Sequence, residues 1–116
     1  MKAYTDLEQS KMLVEILPLE SADMCYIKRE INDTFIETPI VKPIGGIEKS
    51  LCCWSLAALF DVLPEGIIEN YYTPNLQKEN GKYSIAYGNE ELLCIADNPI
   101  DVCVEMVLKL RELNLL

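Results

Sequence analysis

The chain contains no histidine among its 116 residues. That absence removes the usual base beside a catalytic cysteine and the commonest nitrogen ligand for a metal. Basic residues are scarce too: ten Lys and Arg stand against nineteen Asp and Glu, a formal net charge of −9. A chain this acidic is repelled by phosphates and by anionic headgroups, so neither nucleic acid nor membrane is expected as a partner. No apolar run approaches the roughly 18 residues of a spanning helix. The opening "MKAYTDLEQSKMLVEILPLE" carries acids and lacks the unbroken apolar core of a signal peptide. A cytoplasmic protein is therefore expected. No repeat or low-complexity tract is visible, and the length suits one domain over 1–116.

Cysteine is present, but in none of the patterns that bind or bridge. Cys25, Cys52, Cys53, Cys94 and Cys103 are odd in number, two are adjacent, and no C-x-x-C pair exists. A zinc site wants four Cys or His ligands at paired spacings, and a calcium loop wants D-x-[DN]-x-[DN]-G; the sequence offers neither. No metal or cofactor is expected, and the five thiols read as small core residues.

The hydrophobic pattern then gives the elements. "YTDLEQSKMLVEILP" predicts a helix over 6–17, with Thr5 and Glu8 as a capping box and Pro18 as its stop. Leu7, Leu13, Val14 and Leu17 would form its apolar side. Two β-rich runs, 25–31 and 34–38, flank Asn32-Asp33 and predict a hairpin. The stretch 39–50, with two prolines and two glycines, reads as a loop. "CWSLAALFDVLPEG" predicts a short helix capped by Ser55, with Trp54 and Leu59 placed as a hydrophobic staple.

A meander follows. Asn80-Gly81 is the strongest hairpin signal present and pairs Glu79 with Lys82, Lys78 with Tyr83, Gln77 with Ser84 and Leu76 with Ile85. Gly88-Asn89 predicts a second two-residue turn, setting Ile85 opposite Leu92 and Tyr83 opposite Cys94. Both turns put Tyr83, Ile85, Leu76, Leu92 and Cys94 on one face. In "CIADNPIDVCVEM" Asn98 is an N-cap, Pro99 suits the first helical position, and Asp101 lies in the first turn at the positive end of the dipole. Ile100, Cys103, Val104, Val107, Leu108 and Leu110 make the buried stripe; Asp101, Glu105, Lys109 and Glu112 mark the wet side, with Glu105 and Lys109 spaced as an ion pair. That spacing turns Cys103 away from Asp101.

The segments "YTDLEQSKMLVEILPLESADM", "CWSLAALFDVLP" and "ADNPIDVCVEMVLKL", in that order, resemble a group of short proteins encoded in prophage and other mobile-element regions of gut anaerobic bacteria. The resemblance spans about half the chain. It implies a bacterial, mobile-element setting and brings no catalytic residue, cofactor or partner.

The expectation is an α+β fold in the order α-β-β-α-β-β-β-α. One antiparallel sheet of about four to five strands would carry the first and last helices, with a short helix in the middle. Three functions fit the residues. The first is a non-enzymatic accessory protein that binds another protein or assembles as a homo-oligomer. The second is an acidic nucleic-acid mimic that occupies a basic partner, with Asp61, Glu65 and Glu69 as a solvated rim. The third is a small cysteine-dependent enzyme using Cys52 or Cys53 ahead of a helix start.

Overall fold

The computed structural model describes residues 2–31, 34–41, 52–66, 73–88 and 92–116. The fold is α+β: α1 (Leu7–Leu13), β1 (Met24–Ile31), β2 (Thr34–Val41), β3 (Cys52–Cys53), α2 (Leu56–Val62), β4 (Pro74–Glu79), β5 (Lys82–Tyr87), β6 (Leu92–Ala96) and α3 (Pro99–Glu112). The strands do not make the single sheet expected. They form two antiparallel sheets of three, ordered β2-β1-β3 and β4-β5-β6. The extra strand is Cys52–Cys53, which pairs with the start of β1. Two residues are too few to leave a periodic signal.

The first helix is shorter than its periodicity suggests. Asp6, and not Thr5, is the N-cap: its carboxylate accepts from the Gln9 amide at 2.8 Å, and the Gln9 side chain accepts from the Asp6 amide at 3.0 Å. Helical geometry ends at Leu13; the chain then runs on in irregular turns, the Leu17 N–H still reaching the Leu13 carbonyl at 2.8 Å. Leu13 and Leu17 are buried as expected, but Leu7 is exposed. Thr5 is drawn off the cap by a stronger use, described below.

β2 runs three residues further than expected, to Val41, so the expected loop loses its first residues to a strand; residues 42–50 lie outside the described part. Pro39 is tolerated because β2 is an edge strand, where a missing N–H breaks no ladder. The register Ile31 opposite Thr34 agrees with a hairpin about Asn32-Asp33, which are themselves outside the described residues.

In the second sheet the Asn80-Gly81 hairpin has the expected register throughout, from Glu79–Lys82 to Leu76–Ile85. Asn80 and Gly81 both take positive φ, 52° and 77°, as such a turn requires. The Lys78 ammonium lies over the Tyr83 ring opposite, 5.5 Å from its centroid. The next pairing is displaced by two residues from expectation. Ile85 faces Cys94, Tyr83 faces Ala96 and Tyr87 faces Leu92. A turn at Gly88-Asn89 would have set Glu90 opposite Tyr87 on the core-facing side. The observed register sets Leu92 there, and both Tyr87 and Leu92 are buried. A shift of two keeps every side chain on its face, so the apolar face survives the correction.

α3 is the spine. It packs on β5 and β6 with one side and on α2 with another. Two contacting layers explain why Val102 and Met106 are buried along with Ile100, Cys103, Val104, Val107 and Leu110. One hydrophobic cluster gathers Leu13, Cys52, Trp54 and Leu59 with Ile85, Tyr87, Leu92 and this stripe. Trp54 and Leu59, the expected staple pair, are both fully buried in this cluster on either side of the Ser55 cap.

Candidate functional site

The residues expected as an acidic rim are placed as follows. Asp61 is exposed in the last turn of α2, and Glu65 is exposed just beyond it; Glu69 lies outside the described residues. Burial pushes the Tyr87 hydroxyl up to about 12, and the nearby Glu65 charge adds to the shift. Tyr87 donates to the Pro64 carbonyl at 2.8 Å, fixing the chain where the rim begins.

The thiols are interior groups. All five cysteines are buried. Burial pushes the Cys103 thiol up to about 12. Cys53 is also raised to about 12, by burial first and then by the charges of Cys25, Asp23 and Cys52. Cys94 is raised by burial and by Glu105, against Lys109. Raised thiols are poor nucleophiles, because the thiolate is the reacting form. Cys94 and Cys103, close in sequence, sit on different elements: Cys94 on the sheet face, Cys103 inside α3. Asp101 belongs to another assembly.

That assembly joins two helix starts. The Asn98 side chain caps α3 by accepting from the Asp101 amide at 2.8 Å, and its Nδ2 donates to the Asp101 carboxylate at 2.7 Å. The other Asp101 oxygen accepts from Lys2 Nζ at 2.8 Å and Gln9 Nε2 at 2.7 Å. Lys2 also donates to Asp6, the α1 cap, at 3.0 Å. Burial alone would raise the Asp101 carboxyl, but Lys2, Gln9 and Asn98 outweigh it and hold it below the usual carboxylate value. Burial acts likewise on Asp6, and the Gln9 amide and Lys2 reverse it. Burial opposes the Lys2 charge, yet Asp101 and Asp6 keep its pKa raised. Every member has a partner in the set, so the cluster clasps α1 to α3. Its polar capacity is already used internally. Sequence alone pointed only to the Asn98–Asp101 half. Lys2 and Gln9 are 99 and 92 positions from Asp101, and no local pattern links them.

A second polar centre joins the N-terminal segment to Trp54, the residue after β3. The Thr5 N–H donates to the Trp54 carbonyl at 2.9 Å. Its Oγ1 accepts from the Trp54 amide at 3.0 Å and is hydrogen-bonded to Ser10 Oγ at 2.8 Å. Its carbonyl accepts from the Tyr26 hydroxyl at 2.7 Å. With Tyr4 bridged to Ser55, residues 4–5 run antiparallel to residues 54–55, just beyond β3. Thr5 is fully buried, so these bonds satisfy groups that water cannot reach.

Among the described residues, the outer face of the second sheet has capacity left over. β4–β6 turn Ile85, Tyr87, Leu92 and Cys94 toward α3. The opposite side carries Ser84, Ala86, Leu93 and Ile95 by alternation. Ile95 is 56% exposed, ahead of Leu113 at 48% and Met12 at 45%. A hollow of about 250 Å³ adjoins it, lined by Glu79, Asn80, Lys82, Ser84 and Ile95. Lys82 pairs with Asp97 at its edge. Lys109, spaced for a pair with Glu105, instead reaches the Leu93 carbonyl at 3.3 Å. The sequence signal was present: with Leu92 and Cys94 inward, Leu93 and Ile95 must point out.

Among the described residues no helix is long and apolar enough to cross a membrane, and no group of three or more His, Cys, Asp or Glu could hold a metal ion. The chain matches no family model, no curated protein and no solved structure.

Proposed function

We propose that this protein is a non-enzymatic accessory factor that acts by binding another protein through the outer face of β4–β6. The observation that carries the reading is Ile95, which stands 56% exposed on a sheet whose other face is filled. An apolar centre with a polar surround is the usual anatomy of a transient interface. Here Ile95, Leu93 and Ala86 form the centre. Glu79, Asn80, Lys82 and Ser84 form part of the rim, and the hollow offers a seat for one partner side chain. The buried, raised thiols favour this reading over a cysteine-dependent enzyme. The resemblance to mobile-element proteins and a cytoplasmic setting are consistent with an accessory role.

Capture from a lysate of the source cells tests it. The wild-type chain should retain a discrete protein, or a further copy of itself, and Ile95→Asp should lose it. The same variant should keep the wild-type denaturant midpoint, since exposed substitutions change stability little. Equal retention by both chains would refute the assignment of this face.

A second reading has its own observation. Asp61 and Glu65 are exposed at the carboxyl end of α2, where the helix dipole adds negative potential. As a nucleic-acid mimic, the protein would use that end and the net charge of −9 against a basic partner. Competition by duplex DNA for the captured protein, with Asp61→Asn weakening capture and Ile95→Asp leaving it intact, would favour this reading. On either reading the chain itself is not expected to shift duplex DNA in a gel at physiological salt.

A further inference from the structure

The ladder between β1 and β3 pairs Cys25 directly with Cys52. Directly opposed residues of an antiparallel pair share one face, with Cα atoms about 4.5–5.5 Å apart. A disulfide needs Cα atoms about 4.4–6.8 Å apart, so this register allows a bond without displacing either strand. We infer that Cys25 and Cys52 form a reversible cross-strand disulfide when the protein meets a disulfide oxidant of the glutathione class.

The third thiol nearby does not fit as well. Cys53 is opposed by Met24 and so belongs to the other face of the pair. Its thiol feels the charges of both Cys25 and Cys52, which places the three groups in one neighbourhood. Adjacent residues of an extended strand point apart, which disfavours a Cys52–Cys53 bond. Cys94 and Cys103 lie on β6 and α3, outside this sheet.

The reaction is two thiol–disulfide exchanges. One cysteine thiolate attacks oxidised glutathione, forms a mixed disulfide and releases one glutathione thiolate. The second cysteine thiolate then attacks the protein sulfur of the mixed disulfide and releases the other. The pair of cysteines loses two electrons, the glutathione disulfide gains them, and the two protons end on the released thiols. The product ring encloses the β1–β2 hairpin from Cys25 onward and ties it to the residues that lead into α2. Both residues are buried, at 2% and 1% exposure, so the exchange in the native state waits on local opening.

An equilibrium experiment avoids that access problem. The full chain, reduced and unfolded, is refolded in glutathione buffers of increasing oxidised fraction, quenched by alkylation, cleaved and mapped by mass spectrometry. The expected product is one internal bond joining Cys25 to Cys52, with Cys94 and Cys103 recovered as alkylated thiols. Cys53→Ser should keep the bond. The oxidised protein should show a higher denaturant midpoint than the reduced one, reversed by dithiothreitol. A bond from Cys53 to either neighbour, glutathione adducts with no internal bond, or five alkylated thiols at every ratio would each overturn the inference.

Discussion

The β4–β6 meander and the junction of Thr5 with Trp54 hold their parts together by different means. The meander presents one apolar face to α3, and Ile85 and Tyr87 are fully buried there. The junction is also fully buried at Thr5 and Trp54, yet its specificity comes from four hydrogen bonds made by three groups of a single threonine. Apolar contact is non-directional, so the register of the meander is chosen by which side chain it buries, with Leu92 opposite Tyr87. Hydrogen bonds are directional, so the junction fixes one arrangement of residues 4–5, β1 and β3. The difference also separates what each region can do: the meander leaves Ile95 exposed on its outer face, whereas the polar groups of the junction are consumed by their own bonds.

The largest effect should come from the apolar side of this contrast. Ile85→Ala removes a fully buried side chain between sheet and α3 and should cost about 2–5 kcal/mol in urea denaturation. A loss below 1 kcal/mol, on the order of a surface change, would mean that the sheet does not rest on α3. Thr5→Val comes next. It keeps the volume but strands the Trp54 N–H, so about 1–3 kcal/mol should be lost. Were the junction held by packing alone, this substitution would be close to neutral.

How much of this could be read from the chain follows from the same contrast. Asn80-Gly81 dictates its own hairpin because few residues adopt two positive φ angles in a row, so that register was legible residue by residue. Gly88-Asn89 offered an equally local signal, and it was overridden by burial: Tyr87 sits opposite Leu92 instead of Glu90. The α3 cap was legible for the same local reason, since Asn98, Pro99 and Asp101 lie within one turn. Thr5 was read as a cap because its distant partner, Trp54, leaves no trace at short spacing. Asp6 and Gln9, one position on, offered the same box pattern and won it. Of the proposed binding face, Leu93 and Ile95 followed from strand alternation, while the hollow depends on the hairpin end meeting β6 and was not legible.

Smaller effects sharpen the picture at the clasp between α1 and α3. Asn98→Ala should cost about 1 kcal/mol, because the Asp101 amide loses its acceptor. The pH dependence gives the finest test. Asp6 and Asp101 are held below their ordinary 3.8, so their contribution is complete above that value and fades as pH falls through the lowered folded value. Lys2 is held above its ordinary 10.5, so its contribution is complete below 10.5 and fades as pH climbs through the raised folded value. Asp101→Asn should flatten part of the acid limb of a stability–pH profile, the effect being modest because the carboxylate is 36% exposed. An unchanged acid limb would remove Asp101 from the clasp.

Hydrogen–deuterium exchange of the full chain, with and without its captured protein partner, bears most directly on the proposed role of the outer face. The expected result is slowed exchange in β6, over Leu92–Ala96, and in the β4–β5 hairpin around Asn80 and Lys82. Exchange along α1 and at the Thr5–Trp54 junction should stay as in the unbound chain. Protection confined to the end of α2 around Asp61 and Glu65, with β6 unchanged, would contradict the account.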